Sequence, residues 1–142
     1  LLEAFTREVP NSPFVDEANL KLGMANEQLV MNWDEARRIY QRIIDTKKND
    51  PIVHEAYYRM GSVLRDGFAG YDEAIKYWEE LNSQYYNNQF AADAQFAIAY
   101  TYEVYQRDYT KARAAYEKIL NLYPNSPLQN QVRDALLRIS GK

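Results

Sequence analysis

Apolar residues recur at intervals of three and four along most of the chain. Val15, Ala18, Leu22, Ala25 and Leu29 form one such series, and Phe90, Ala94, Ala97 and Ile98 another. That spacing places them on one face of an amphipathic helix. No stretch shows strand-like alternation, and no low-complexity run or linker interrupts the pattern. The helical patterns themselves recur. Asn11-Ser-Pro-Phe, Asn49-Asp-Pro-Ile, Asn87-Asn-Gln-Phe and Asn125-Ser-Pro-Leu begin 38 residues apart. In the same register lie Ala18, Ala56 and Ala94; Gly23, Gly61 and Ala99; Trp33, Tyr71 and Tyr109; Ala36, Ala74 and Ala112; and Tyr40, Trp78 and Tyr116. A fixed period of this length is the mark of stacked supersecondary units.

Each period holds two helices. Ser12-Pro13, Asp50-Pro51 and Ser126-Pro127 put an oxygen able to cap a helix before a proline, and Asn88 takes the capping place in the third period. A proline in the first turn forfeits no intrahelical bond. These signals predict first helices over 13–30, 51–66, 89–106 and 127–139. Second helices open on an aromatic, twice followed by acids that suit the helix dipole (Trp33-Asp34-Glu35, Tyr71-Asp72-Glu73). They are predicted over 33–46, 71–86 and 109–122. Residues 1–10 read as the end of a preceding repeat; 11–48, 49–86 and 87–124 as three full repeats; and 125–142 as the first helix of another, all within one domain. Small residues at Gly23, Gly61 and Ala99, facing Ala36, Ala74 and Ala112, let the helices of a pair approach closely. The aromatics Tyr40, Trp78 and Tyr116 are expected to fill the space between successive pairs. No pair can bury its apolar face alone, so stacking makes the fold. The expected architecture is an all-α, right-handed α-solenoid of antiparallel helix pairs.

Composition narrows the chemistry. The 142 residues include no cysteine, which excludes disulfides, thiolate metal sites and cysteine nucleophiles. Lys and Arg number 17 against 20 Asp and Glu, so no basic surplus invites nucleic acid or an anionic membrane. The 13 tyrosines are not interleaved with a basic track, as a single-strand binder would require. No apolar run is long enough to span a bilayer, so no direct membrane insertion is expected of this segment. Leu1 to Pro10 carries Glu3, Arg7 and Glu8 and does not read as a secretory signal; targeting information is expected to lie elsewhere. His54, the single histidine, has no second His or Cys at ligand spacing, so no metal or cofactor is expected. Acid pairs such as Asp34/Glu35, Asp72/Glu73 and Glu79/Glu80 recur on helix starts and exposed faces. Gly67-Phe-Ala-Gly70 lacks the Lys-Ser/Thr ending of a phosphate loop and reads as a turn. No enzyme is expected.

The residues Leu22-Gly23, Met60-Gly61 and Ile98-Ala99, with Ala36/Tyr40, Ala74/Trp78 and Ala112/Tyr116, resemble the tetratricopeptide repeat, whose usual period is about 34 residues. The small residue that the family usually has late in the second helix is Ile43, Leu81 and Ile119 here. The ending Tyr116-Glu-Lys-Ile-Leu-Asn-Leu-Tyr-Pro-Asn-Ser-Pro127 is similar to a bacterial envelope branch of that family. That branch includes the lipoprotein of the outer-membrane β-barrel assembly machine and the periplasmic TolA-binding cell-division coordinator. The resemblance implies a non-catalytic scaffold at the periplasmic face of the envelope, with the cytoplasm as the alternative. It also implies ligand-facing positions on the concave side: Glu17, Leu20, Met24 and Glu27; Glu55, Tyr58, Ser62 and Arg65; Asp93, Phe96, Tyr100 and Glu103. These would form an aromatic floor with an acidic rim, suited to a peptide or helix of a protein partner bearing hydrophobic and basic residues. For Tyr58, Phe96 and Tyr100, packing against neighbouring helices is the competing reading. Alternative functions are self-assembly through the repeat ends (Leu1, Leu2 and Phe5 against Leu136, Leu137 and Ile139), or an accessory domain of a larger enzyme or regulator.

Overall fold

The computed structural model describes residues 15–28 and 32–142. Among them the only regular structure is helical: α1 (Val15–Gln28), α2 (Trp33–Thr46), α3 (Ile52–Phe68), α4 (Tyr71–Gln84), α5 (Ala91–Tyr100), α6 (Tyr109–Leu122) and α7 (Gln129–Ile139). The expected all-α architecture is present. The readings that fall on residues 1–14 and 29–31, including the preceding helix, the Ser12-Pro13 cap and the apolar end at Leu1, Leu2 and Phe5, lie outside the described residues. The chain divides into two compact units, one ending at Gly70 and one running from Tyr71 to Lys142. In the first, α2 packs against both α1 and α3. In the second, each of α4 to α6 packs on the helix that follows it.

Local chemistry explains the element boundaries. Asp50 Oδ1 accepts from the N–H of Ile52 at 3.0 Å, Asn88 Oδ1 from Phe90 at 2.8 Å and Ser126 Oγ from Leu128 at 3.1 Å. Each bond spans two residues and forms a turn leading into a first helix; the helices open one to two residues later than expected, and no side chain caps them. The first helices also end alike. The N–H of Asn32 donates to Asn26 O (2.7 Å), that of Gly70 to Leu64 O (2.8 Å) and that of Asp108 to Tyr102 O (2.8 Å). This six-residue closing bond satisfies an orphan carbonyl. Asn32 and Asp108 then cap the next helix, accepting from Glu35 N at 3.2 Å and Lys111 N at 3.1 Å. Those two caps went unread in the sequence.

The structure corrects several boundaries. α3 continues to Phe68, so Gly67 sits inside the helix and not in a turn. The turn is made by Ala69, which adopts the left-handed conformation at φ 51°, and Arg107 does the same at φ 54°. α5 does not run on as one α-helix to residue 106. After Tyr100 it widens into a π-helical turn, Thr101–Tyr105, closed by Gln106 N donating to Thr101 O at 3.1 Å. The buried Thr101 hydroxyl donates to Ala97 O at 2.6 Å. α4 ends at Gln84, before the expected Tyr86, and α7 starts two residues after Pro127. Ile139 is fully buried, leaving Leu137, 74% exposed, and the half-buried Leu136 from the apolar end.

The core rings sit within helix pairs. Tyr40 is fully buried over Gly23, where an added Cβ would stand 2.7 Å from its Cε1. Tyr116 meets Phe96 of its own pair edge-on at 5.6 Å. In these two pairs the ring is seated against the first helix of its own pair. A second close approach joins α2 to α3: a Cβ on Gly67 would lie 2.5 Å from Trp33 Cγ and 2.8 Å from Trp33 Cβ. Those atoms lie at the root of the indole and cannot swing away. Gly67→Ala should therefore destabilise the protein by about 1–3 kcal/mol through overpacking, although alanine is intrinsically the better helix former by about 1 kcal/mol. Urea unfolding of the two proteins measures the sign.

Candidate functional site

The first helices carry the residues assigned to partner binding, and the two units treat them differently. In the first unit Glu17 is exposed and pairs with Lys21 at 3.1 Å. Leu20 is 7% exposed and belongs to the core, not to a groove floor. Met24 and Tyr58 are half-buried. Arg59 lies between two of the expected rim acids, with Nε 2.9 Å from Glu55 and Nη1 3.7 Å from Glu27. Glu27 also accepts from the Tyr40 hydroxyl at 2.7 Å. Ser62 donates to Tyr58 O at 3.4 Å, and Arg65 pairs with the adjacent Asp66 at 2.7 Å. Much of the acidic rim is thus neutralised from within.

In the second unit Asp93 is exposed, while Glu103 is buried and committed to internal partners. Its carboxylate accepts from the Tyr116 hydroxyl at 2.8 Å and from Arg138 Nε and Nη2 at 2.7 and 2.8 Å. A two-pronged guanidinium contact of this kind is among the stronger charge-assisted bonds. The structure therefore takes Glu103 away from any ligand. The resemblance to the tetratricopeptide repeat assigned it to the ligand face; like Glu27, which bonds Tyr40, it turns to the buried tyrosine of its own pair instead.

What remains on this face is aromatic. Phe96 and Tyr100 stack at 6.3 Å and 16°. Tyr105 meets Tyr100 at 6.2 Å and 69°, and Tyr71 meets Tyr105 at 5.1 Å. The four half-buried to exposed rings form one continuous run. In an α-helix the residue one turn after Tyr100 would be Val104. The extra residue of the π turn brings Tyr105 into line instead, and such turns recur at functional sites. Tyr71 and Tyr105 were missed as site residues; the only sequence signal is that the opening aromatic Tyr71 sits 34 positions before another tyrosine.

Charge states follow from these contacts. Burial raises the Glu27 carboxyl above its ordinary range, outweighing the Tyr40 bond and an arginine that Glu55 shares. The hydrogen bond from Arg138 holds Glu103 below its ordinary range despite burial. Burial and then the carboxylate contact push the Tyr40 and Tyr116 hydroxyls up, so both remain donors. His54 is half-buried and lowered by burial. Among the described residues no group of three His, Cys, Asp or Glu is placed to hold a metal ion, and no helix is long and apolar enough to cross a membrane.

The model of the family described as tetratricopeptide repeat matches residues 17–46 and 93–126. The first match ends with α2 and takes in most of α1, and the second covers nearly all of α5, the π turn and α6. A search of the curated proteins finds no match. Such repeats commonly mediate protein–protein interaction, and the match points to a repeat scaffold.

The two carboxylates give opposite pH signatures. Glu103, depressed in the folded state, contributes stability above the unfolded carboxylate range of about 4.3; that stability is lost as pH falls through its folded value. Glu27, raised, contributes below the unfolded value and loses that contribution as pH rises through the folded one. Glu103→Gln should cost about 1–3 kcal/mol at pH 7, with the difference from wild type shrinking below pH about 4. Glu27→Gln should be close to neutral at pH 7, because the amide oxygen still accepts from Tyr40. Urea unfolding between pH 3 and 7 reads both.

Proposed function

We propose, taking the tetratricopeptide repeats as premise, that this chain is a non-catalytic scaffold that binds a segment of a partner protein on the exposed faces of its first helices. The run Phe96–Tyr100–Tyr105–Tyr71 carries the reading. Rings that are large, rigid and only partly buried bind at little cost in side-chain entropy, and tyrosine is enriched at binding hot spots. They would take hydrophobic anchors, while the exposed Asp93 favours basic flanks. In the first unit, Met24, Tyr58 and Glu17 are the corresponding accessible groups. Leu20 and Glu103, being buried, and Glu27, held by Tyr40 and Arg59, act by positioning the helices.

The periplasmic side of a bacterial envelope is part of the same proposal. It rests on the similarity of the ending Tyr123-Pro-Asn-Ser-Pro127 to the envelope branch.

Capture from an extract of the native cells, with the immobilised protein, tests the reading. The double variant Tyr100→Ala, Tyr105→Ala should lose the captured partner while its far-UV circular dichroism stays that of the wild type. Partner retention by the folded variant contradicts the proposal.

A further inference from the structure

A second concavity lies in the second unit away from the aromatic run. It is a trough of about 680 Å3 between α4 and α6, with Gln95 of α5 among its lining residues. Gln95 is nearly buried, and its amide donates to Ala115 O at 3.1 Å, which ties that part of the lining to α6. The two ends of the trough differ. At the downstream end stand Tyr86, 79% exposed, and Leu122, 62% exposed, with the half-buried Tyr123 beside them. One to two helical turns upstream, Glu79 lines the α4 wall and Lys118 the α6 wall. Both are exposed. Neither makes a hydrogen bond or ion pair within the described residues, so two opposite charges flank the trough uncompensated.

We propose that this trough seats an amphipathic helix of a partner protein. Two apolar side chains one turn apart would lie on Tyr86, Leu122 and Tyr123. On the flanks of that stripe, a basic residue would face Glu79 and an acidic residue Lys118. The walls dictate a helix and not a strand. α4 and α6 have spent their backbone donors and acceptors on themselves, so an extended peptide would leave its own backbone unpaired, whereas a helix arrives satisfied. The charges set the partner's direction, because apolar anchors at one end and opposite charges on the two walls match a helix in only one orientation. The site is independent of the first-helix faces.

Two synthetic alanine-rich helical peptides of sixteen residues test this with the isotope-labelled full chain. Both carry the leucine pair; one places lysine toward Glu79 and glutamate toward Lys118, and the other exchanges them. The first peptide should shift the amide resonances at the ends of α4 and α6 and bind about fivefold or more tightly than the second, as two rim charge pairs allow. The surface double variant Glu79→Lys, Lys118→Glu should invert the preference, and Leu122→Ser should weaken both peptides. Equal affinity for both peptides, failure of the first to bind, or shifts confined to residues 96–105 overturns the proposal. So do shifts at the trough on raising protein concentration alone, which would make a second copy the occupant.

Discussion

A buried tyrosine ring needs space beneath it and an acceptor at its rim, and the observed packing of both units follows from meeting those two needs. Tyr40 occupies the place where a Cβ on Gly23 would stand. Its hydroxyl, taken out of water, finds Glu27. A buried carboxylate in turn requires a cation, and Arg59 supplies it from the following first helix. Seventy-six positions on, Tyr116 and Glu103 repeat the hydroxyl–carboxylate bond at 2.8 Å, and Arg138 of the following helix holds that carboxylate more closely, at 2.7 and 2.8 Å. Tyr40 and Tyr116 each therefore link three helices: the ring's own, the one that supplies the carboxylate and the next. This tie does not depend on the modest apolar area that a single pair can bury.

The same logic explains which substitutions travel together. At the equivalent positions of the middle repeat, tyrosine is replaced by Trp78 and glutamate by Arg65. An indole carries no hydroxyl that needs a carboxylate, and the arginine turns to the neighbouring Asp66. The concurrence of Tyr with Glu, and of Trp with Arg, is visible along the chain.

Legibility followed the range of the interaction. The helices, the turns opened by Asp50, Asn88 and Ser126, and the all-α class were readable because each is decided within a few residues. The position of Gly67 was not, because its reason is Trp33, thirty-four positions away. The π turn carries no local motif, so Tyr105 was left out; Glu103, like Glu27, was placed on the ligand face by the family resemblance, whereas its partner Tyr116 lies thirteen residues away. The aromatic face was half legible: Phe96 and Tyr100 came from the resemblance to the tetratricopeptide repeat, whereas Tyr71 joins them only through packing between elements. Burial of Glu103 and exposure of Tyr105 both sit on the turn where the helix widens. The turn that lines up the rings outside thus also carries the inward-facing carboxylate.

The seat of the ring on the small residue is the claim on which this account stands, and a sign reversal tests it. Alanine at position 23 should destabilise the protein when Tyr40 is present, because the new methyl meets the ring at 2.7 Å. In a Tyr40→Leu background the ring is gone and only Ile39 Cγ2, at 3.2 Å, has to give by a few tenths of an ångström; the same Gly23→Ala change should then stabilise by up to about 1 kcal/mol through helix propensity. Equilibrium unfolding of the four proteins gives the answer. A change of sign between the two backgrounds supports the account; the same effect in both would contradict it.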